Sequence, residues 1–97
     1  MANVNVKIKV NACADKLYVC GSTKNLGEWD AKKAIEANKD GVVSKLFAEG
    51  ETVEFKVLAD KNWNNVEKGA FGEEVANHTF VAKKGLTVEI SVENFNK

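Results

Sequence analysis

Few side chains in this chain have the type and spacing for chemistry, and the shortest route to its function starts with them. The single histidine, His78, opens a strand-like run, and the two cysteines, Cys13 and Cys20, have no histidine nearby to act as base. There is no Gly-x-Ser-x-Gly elbow, no phosphate-cradling glycine loop and no metal-ligand spacing. The carboxylate pairs Glu28 with Asp30 and Glu73 with Glu74 are what a glycosidase uses in principle, but on loops they read as solvated surface. No catalytic centre, metal or cofactor is expected. Trp29, Lys56 and Trp63 remain. Trp29 stands in a polar loop, Gly21 to Asp30, whose only other large apolar group is Leu26, the expected pin into the core. Lys56 points away from the core by strand parity, and Trp63 lies just past the end of the same strand.

Two indole faces and a long donor suit a neutral sugar chain. A pyranose presents an apolar face of C–H groups, which stacks on an aromatic plane, and a rim of hydroxyls. Asn64 and Asn65 beside Trp63, and Asn25 and Glu28 beside Trp29, are candidates for rim contacts. The competing reading makes both tryptophans plugs at the open end of the fold. The chain is then an immunoglobulin-like structural spacer or protein-interaction module, and Lys56 is an ordinary solvated lysine. Tyr18 and the five phenylalanines are assigned to core or loop packing.

Composition favours a neutral ligand. The 97 residues carry a formal net charge of zero, with 14 basic residues that are all lysine. A nucleic-acid binder needs a cationic surplus and usually arginine forks for phosphate. No stretch is long and apolar enough to span a membrane, and Met1 to Asn5 lacks the pattern of a signal peptide. A start at Met1-Ala2 directly before a strand pattern suggests a single module, residues 1–97, excised from a longer chain. Two cysteines make no disulfide framework, and Cys20 reads as a small buried hydrophobe. Asn77-His78-Thr79 fits the short, common N-glycosylation pattern.

The elements that position these residues are strands. Alternation predicts them over Val4 to Val10, Val53 to Val57 and Leu86 to Val92. Leu17 to Cys20 is apolar on both parities, as in a central strand covered on two sides. Ala34 to Ala37, Val42 to Phe47 and His78 to Ala82 complete the set, with Asp40-Gly41 as a hairpin signal. Asn64 to Asn77 reads as a long irregular loop, and only Asp30 to Ala37 has room for a helical turn. About seven strands spaced by turns describe an antiparallel, immunoglobulin-like β-sandwich.

Leu17-Tyr18-Val19-Cys20-Gly21-Ser22, followed by Leu26-Gly27-Glu28-Trp29-Asp30, resembles the "YVxGS…LGxWD" signature of starch-binding domains, carbohydrate-binding module family twenty. Ala48 to Val57 is similar to the family's "LPAGxxxEYKF" segment, with Phe47 in place of its proline. The likeness covers roughly residues 4 to 93 and implies that Trp29, Lys56 and Trp63 build the first glucan site. It implies an α-glucan ligand such as starch or glycogen, and a catalytic domain in cis within an amylase-type parent. The module would act as a monomer, extracellular or at the cell surface. A glycogen-sensing module on an intracellular enzyme is the other implication. After Trp63 the chain departs from the family's acidic residue and "DPNR"-like turn, running Asn64-Asn65-Val66-Glu67-Lys68-Gly69, closer to modules of pullulanases and outer-surface starch binders. Where many members carry a second site on exposed tyrosines, this chain has Ala12-Cys13-Ala14 and Lys39-Asp40-Gly41-Val42. One glucan per module is therefore expected.

Overall fold

The alternation near the N-terminus becomes a nine-residue strand. In the computed structural model, which describes residues 2–12, 14 and 16–95, β1 (Asn3–Asn11) buries every second residue. Val4, Val6, Ile8 and Val10 face inward, while the asparagines and lysines between them face water. The remaining strands are β2 (Tyr18–Gly21), β3 (Ile35–Glu36), β4 (Val42–Ala48), β5 (Thr52–Leu58), β6 (Glu67–Lys68), β7 (His78–Val81), β8 (Thr87–Ser91) and β9 (Asn94–Phe95).

Seven of them form two layers. One sheet has the order β4-β1-β8, the other β3-β2-β5-β7. Between them lies one core of β-branched and aromatic side chains, with Val6, Ile8, Val43 and Phe47 from the first sheet and Val19, Val53, Phe55, Val57 and Phe80 from the second. Phe80 meets Phe47 edge-on at 5.4 Å between ring centroids. All seven expected strands are present, and the all-β sandwich is the observed fold.

Three features depart from the sequence reading. β1 pairs β8 in parallel, with Ile8 opposite Val88, so the sandwich is not antiparallel throughout. Strict alternation specifies which face of a strand is buried and leaves its direction open. The stretch 64–77 is also more ordered than a loop. Trp63–Asn65 forms a 3-10 turn capped by the Asn62 side chain. β6 then pairs β9, and single bridges join Leu58 to Val66 and Lys68 to Glu74. In the segment after β2 the Lys24–Leu26 turn was not expected, whereas the Ala31–Lys33 turn falls within the stretch from Asp30 to Ala37 that had room for one.

That segment explains why β2 is buried on both faces. Val19 points into the core, while Tyr18 and Cys20 lie beneath Ala31 and Ala34 in a second small cluster with Leu58. Burial first, and then the charge of Asp30, push the Cys20 thiol above its ordinary range, so it is a packed, protonated group. Cys20 is a free thiol; Cys13, the other cysteine, lies outside the described residues.

Candidate functional site

The site begins with backbone geometry between Gly21 and Asp30. Leu26 is fully buried in the main core, as expected. Gly21 has no room for a side chain: an added Cβ would sit 2.5 Å from the Glu54 carbonyl oxygen and 2.7 Å from Leu26. With Leu26 pinned, the chain turns outward through three successive left-handed residues, Gly27, Glu28 and Trp29, at φ 87, 50 and 65. Glycine adopts this conformation freely, but a tryptophan there is strained by roughly 1–3 kcal/mol. The Glu28 amide donates to the Thr23 carbonyl and the Trp29 amide to the Gly21 carbonyl, at 3.0 and 2.9 Å. These bonds hold the strained turn and aim the Trp29 side chain across the outer face of the second sheet.

Trp63 arrives from the other side. β5 ends at Leu58, and the Asn62-capped turn lifts Trp63 beside Trp29. Its indole Nε1–H donates to the Trp29 carbonyl at 3.0 Å. The two ring centroids are 6.2 Å apart and the planes tilted by 38°. Trp63 is 37% exposed and Trp29 half-buried, so neither ring is a buried plug.

Lys56 lies on the same outer face, opposite Cys20 in the β2–β5 ladder. Its Nζ donates to the Val75 carbonyl at 2.8 Å. Trp29, Lys56, Trp63, Val66 and Asn77 together line an open groove of about 400 Å³. The three side chains singled out in the sequence therefore converge. Glu28, Asn64 and Asn65 are not among the groove-lining residues. The Asn25 amide group bonds the Leu46 carbonyl instead. Val66 and Asn77 were missed. Asn77 is 21 residues beyond Lys56 (77 − 56), at the far end of a segment without periodicity, and only its glycosylation pattern had marked it.

A buried carboxylate fastens that segment. Glu67 is 3% exposed. It accepts from the Val57 amide at 3.0 Å, and His78 Nε2 faces it at 2.8 Å. A carboxylate only accepts, so this contact places a hydrogen on Nε2. β7 begins with His78 opposite Phe55; beyond that pair, Glu67 supplies the acceptor for the next β5 amide on the same edge, that of Val57. The lone histidine is thus a structural partner of Glu67, the residue directly after Val66. Among the described residues no three histidine, cysteine, aspartate or glutamate side chains gather as a metal site.

A second concavity of about 580 Å³ lies at the other end of β2, lined by Val10 to Ala12, Ala14, Lys16, Leu17 and Glu36 to Gly41. None of these residues is aromatic. Ala12 and Ala14 pack against the core, and Cys13 lies outside the described residues.

Comparison with known proteins bears on the fold and the family of the chain. A family model described as "Starch binding domain" matches residues 2–91. The chain is 32% identical over 101 aligned positions to a cyclomaltodextrin glucanotransferase of Niallia circulans, covering 92% of this chain and 14% of that enzyme. A second such enzyme, from Bacillus sp. (strain 17-1), is 31% identical over the same share. The chain thus spans about one-seventh of the length of the curated relatives it matches. Among solved structures, the family 15 glucoamylase of Hypocrea jecorina superposes with a TM-score of 0.76 at 17% identity, over 97% of this chain and 18% of that one. The family 20 module of a maltotetraose-forming amylase from Pseudomonas saccharophila STB07 gives 0.55 at 21% identity, over 93% and 99%. The sandwich with its Trp29–Trp63 groove belongs to the starch binding domain family, a family of non-catalytic carbohydrate-binding modules.

Proposed function

We propose that the module binds neutral α-glucan, such as starch, glycogen or maltooligosaccharides, in the groove lined by Trp29, Lys56 and Trp63. The observation that carries this reading is the convergence of two solvent-accessible indoles, one exposed and one half-buried and 6.2 Å apart, with an amine and an amide on one open surface. The 38° tilt makes the pair a shallow curved platform, which suits the curvature of an α-linked chain better than a flat ribbon. If each indole gives up about 70 Å² of apolar surface, each contributes roughly 1.5–2 kcal/mol. Less the ordering cost, that fits a dissociation constant on the order of micromolar to millimolar. Glu28, Asn64 and Asn65 are left as rim partners for a chain that extends past the groove, and Asn77 supplies the amide within it. The exposed Trp63 and the only half-buried Trp29 favour this reading over an immunoglobulin-like spacer with buried tryptophans. Tryptophan fluorescence with added β-cyclodextrin tests it: stacking should shift and quench the emission, and an unchanged spectrum would leave the groove without a ligand of this class.

The module would serve a longer amylase-type chain in cis, as a monomer, by holding a catalytic domain near its polymer and raising effective concentration. Its match to a small part of two glucanotransferases supports that placement. An extracellular or cell-surface parent is the reading preferred here, over a glycogen-sensing intracellular one; the full-length sequence distinguishes them.

Two expected results follow from a neutral ligand and a tethered lysine. Affinity should barely change between low and physiological salt, because no counterions are released. A steep fall in titrations across that range would indicate an anionic ligand. Lys56→Met keeps most of the stem and removes the donors, and should cost about 0.5–1.5 kcal/mol of binding. Part of that loss would come from the freed Val75 carbonyl, since Lys56 ties the groove wall to β5. Unchanged affinity for β-cyclodextrin would leave the two indoles as the whole site.

A further inference from the structure

Phe71 is 95% exposed, which overturns its assignment to core or loop packing. Phe47, Phe55 and Phe80 are buried in the core, and Phe95 packs partly against it. Phe71 instead stands at the tip of the segment between β6 and β7, and that tip is tightly closed. The Gly69 amide donates to the Glu73 carbonyl at 2.8 Å and the Gly72 amide to the Gly69 carbonyl at 2.9 Å. The Phe71 amide donates to the Glu73 carboxylate at 2.9 Å. Below the tip, Lys68 and Glu74 form a bridge and an ion pair at 3.8 Å. The Glu73 carboxylate lies so close to Gly69 that a Cβ there would meet it at 2.3 Å. The ring is therefore displayed on an ordered backbone, so that little ordering remains to be done on binding.

Both feet of this tip stand in the groove wall. Val66 lines the groove two residues before Lys68, and Asn77 lines it three residues after Glu74. Val75 is held by Lys56. The five steps of chain from Val66 to Phe71 span at most about 18 Å, a distance that a glucan of several units bridges. Both carboxylates at the tip are engaged within the loop, so the ring sits in surroundings that suit a neutral ligand. Gly69, Ala70 and Gly72 add little apolar area around it. That leaves one narrow ring face, much smaller than the patch a protein partner requires.

We propose that Phe71 is a further stacking platform, which engages an α-glucan long enough to run out of the Trp29–Trp63 groove along the 69–76 loop. It rests on the glucan reading of that groove and adds length selectivity to it: short oligosaccharides fill the groove alone, and longer chains gain the phenyl contact. The experiment is calorimetric titration of the unmodified module, Phe71→Ala, Phe71→Trp and Trp63→Ala with maltotriose and with short linear amylose. Phe71→Ala should bind the amylose about 3- to 10-fold more weakly while maltotriose is unaffected, and Phe71→Trp should restore the difference. Equal affinity of Phe71→Ala and the unmodified module for amylose would overturn the proposal, as would an equal loss for both ligands. If Trp63→Ala binds both ligands as well as the unmodified module, the groove reading fails and this one with it. If Trp63→Ala weakens both and Phe71→Ala weakens neither, only the extension fails.

Discussion

Trp63→Ala is expected to lose about 1.5–3 kcal/mol of glucan binding, a roughly 10- to 150-fold weaker dissociation constant, while the module stays folded. The ring is more than one-third exposed and lies over Trp29 at the surface, so its removal opens no enclosed cavity. Trp29→Ala should lose a similar amount of binding and somewhat more stability. Its ring is half-buried and its backbone is left-handed, a conformation that alanine also dislikes. Trp63→Phe should fall between, because it keeps a face but loses the N–H that anchors it to the Trp29 carbonyl. Titration with maltoheptaose and a thermal melt separate the two effects. A variant that unfolds, or one that binds like the unmodified module, would contradict the stacking platform.

The largest stability effect is expected from Glu67→Ala. It strips the acceptor from the buried Val57 amide and leaves the half-buried His78 without its partner. A buried donor left unsatisfied costs about 1–3 kcal/mol, and a broken buried pair somewhat more. A total of about 2–4 kcal/mol is a large share of the roughly 5–15 kcal/mol that holds such a domain together. Glu67→Gln retains an acceptor for the Val57 amide and should lose only about half as much. Urea unfolding of the three proteins measures this. An unfolding free energy for Glu67→Ala within about 0.5 kcal/mol of the unmodified module's would show that the contact contributes no more than a surface pair.

The sandwich was legible because its strands are half-buried, and half-burial writes itself as alternation. Val4 to Val10 shows this most simply: the buried and exposed positions follow residue type without exception. Direction was not legible, since β1 would carry the same pattern beside a parallel or an antiparallel β8. β6 and β9 were missed for another reason: two residues carry no period, and their pairing depends on two distant segments brought together by everything between them. In the site, Trp29 and Trp63 stood out as large rings in polar stretches, and Lys56 stood out because strand parity turned it outward beside Trp63. Asn77 and Val66 carried no such signal. Glu67 is the instructive case, a glutamate in a polar stretch whose burial depends on a histidine eleven residues later (78 − 67). Phe71 misled for the opposite reason. Its type argues for burial, and only the closed turn beneath it keeps it in water.

The most direct test of a glucan seated on the two indoles is a nitrogen–proton correlation spectrum of the labelled module, titrated with β-cyclodextrin. The indole N–H signals of Trp29 and Trp63 should shift first and furthest, together with the backbone amides of Val66 and Asn77, and saturate at one ligand per chain. Indole signals that stay fixed while amides around Ala12 and Asp40 move would place the sugar at the opposite end of β2 and contradict it.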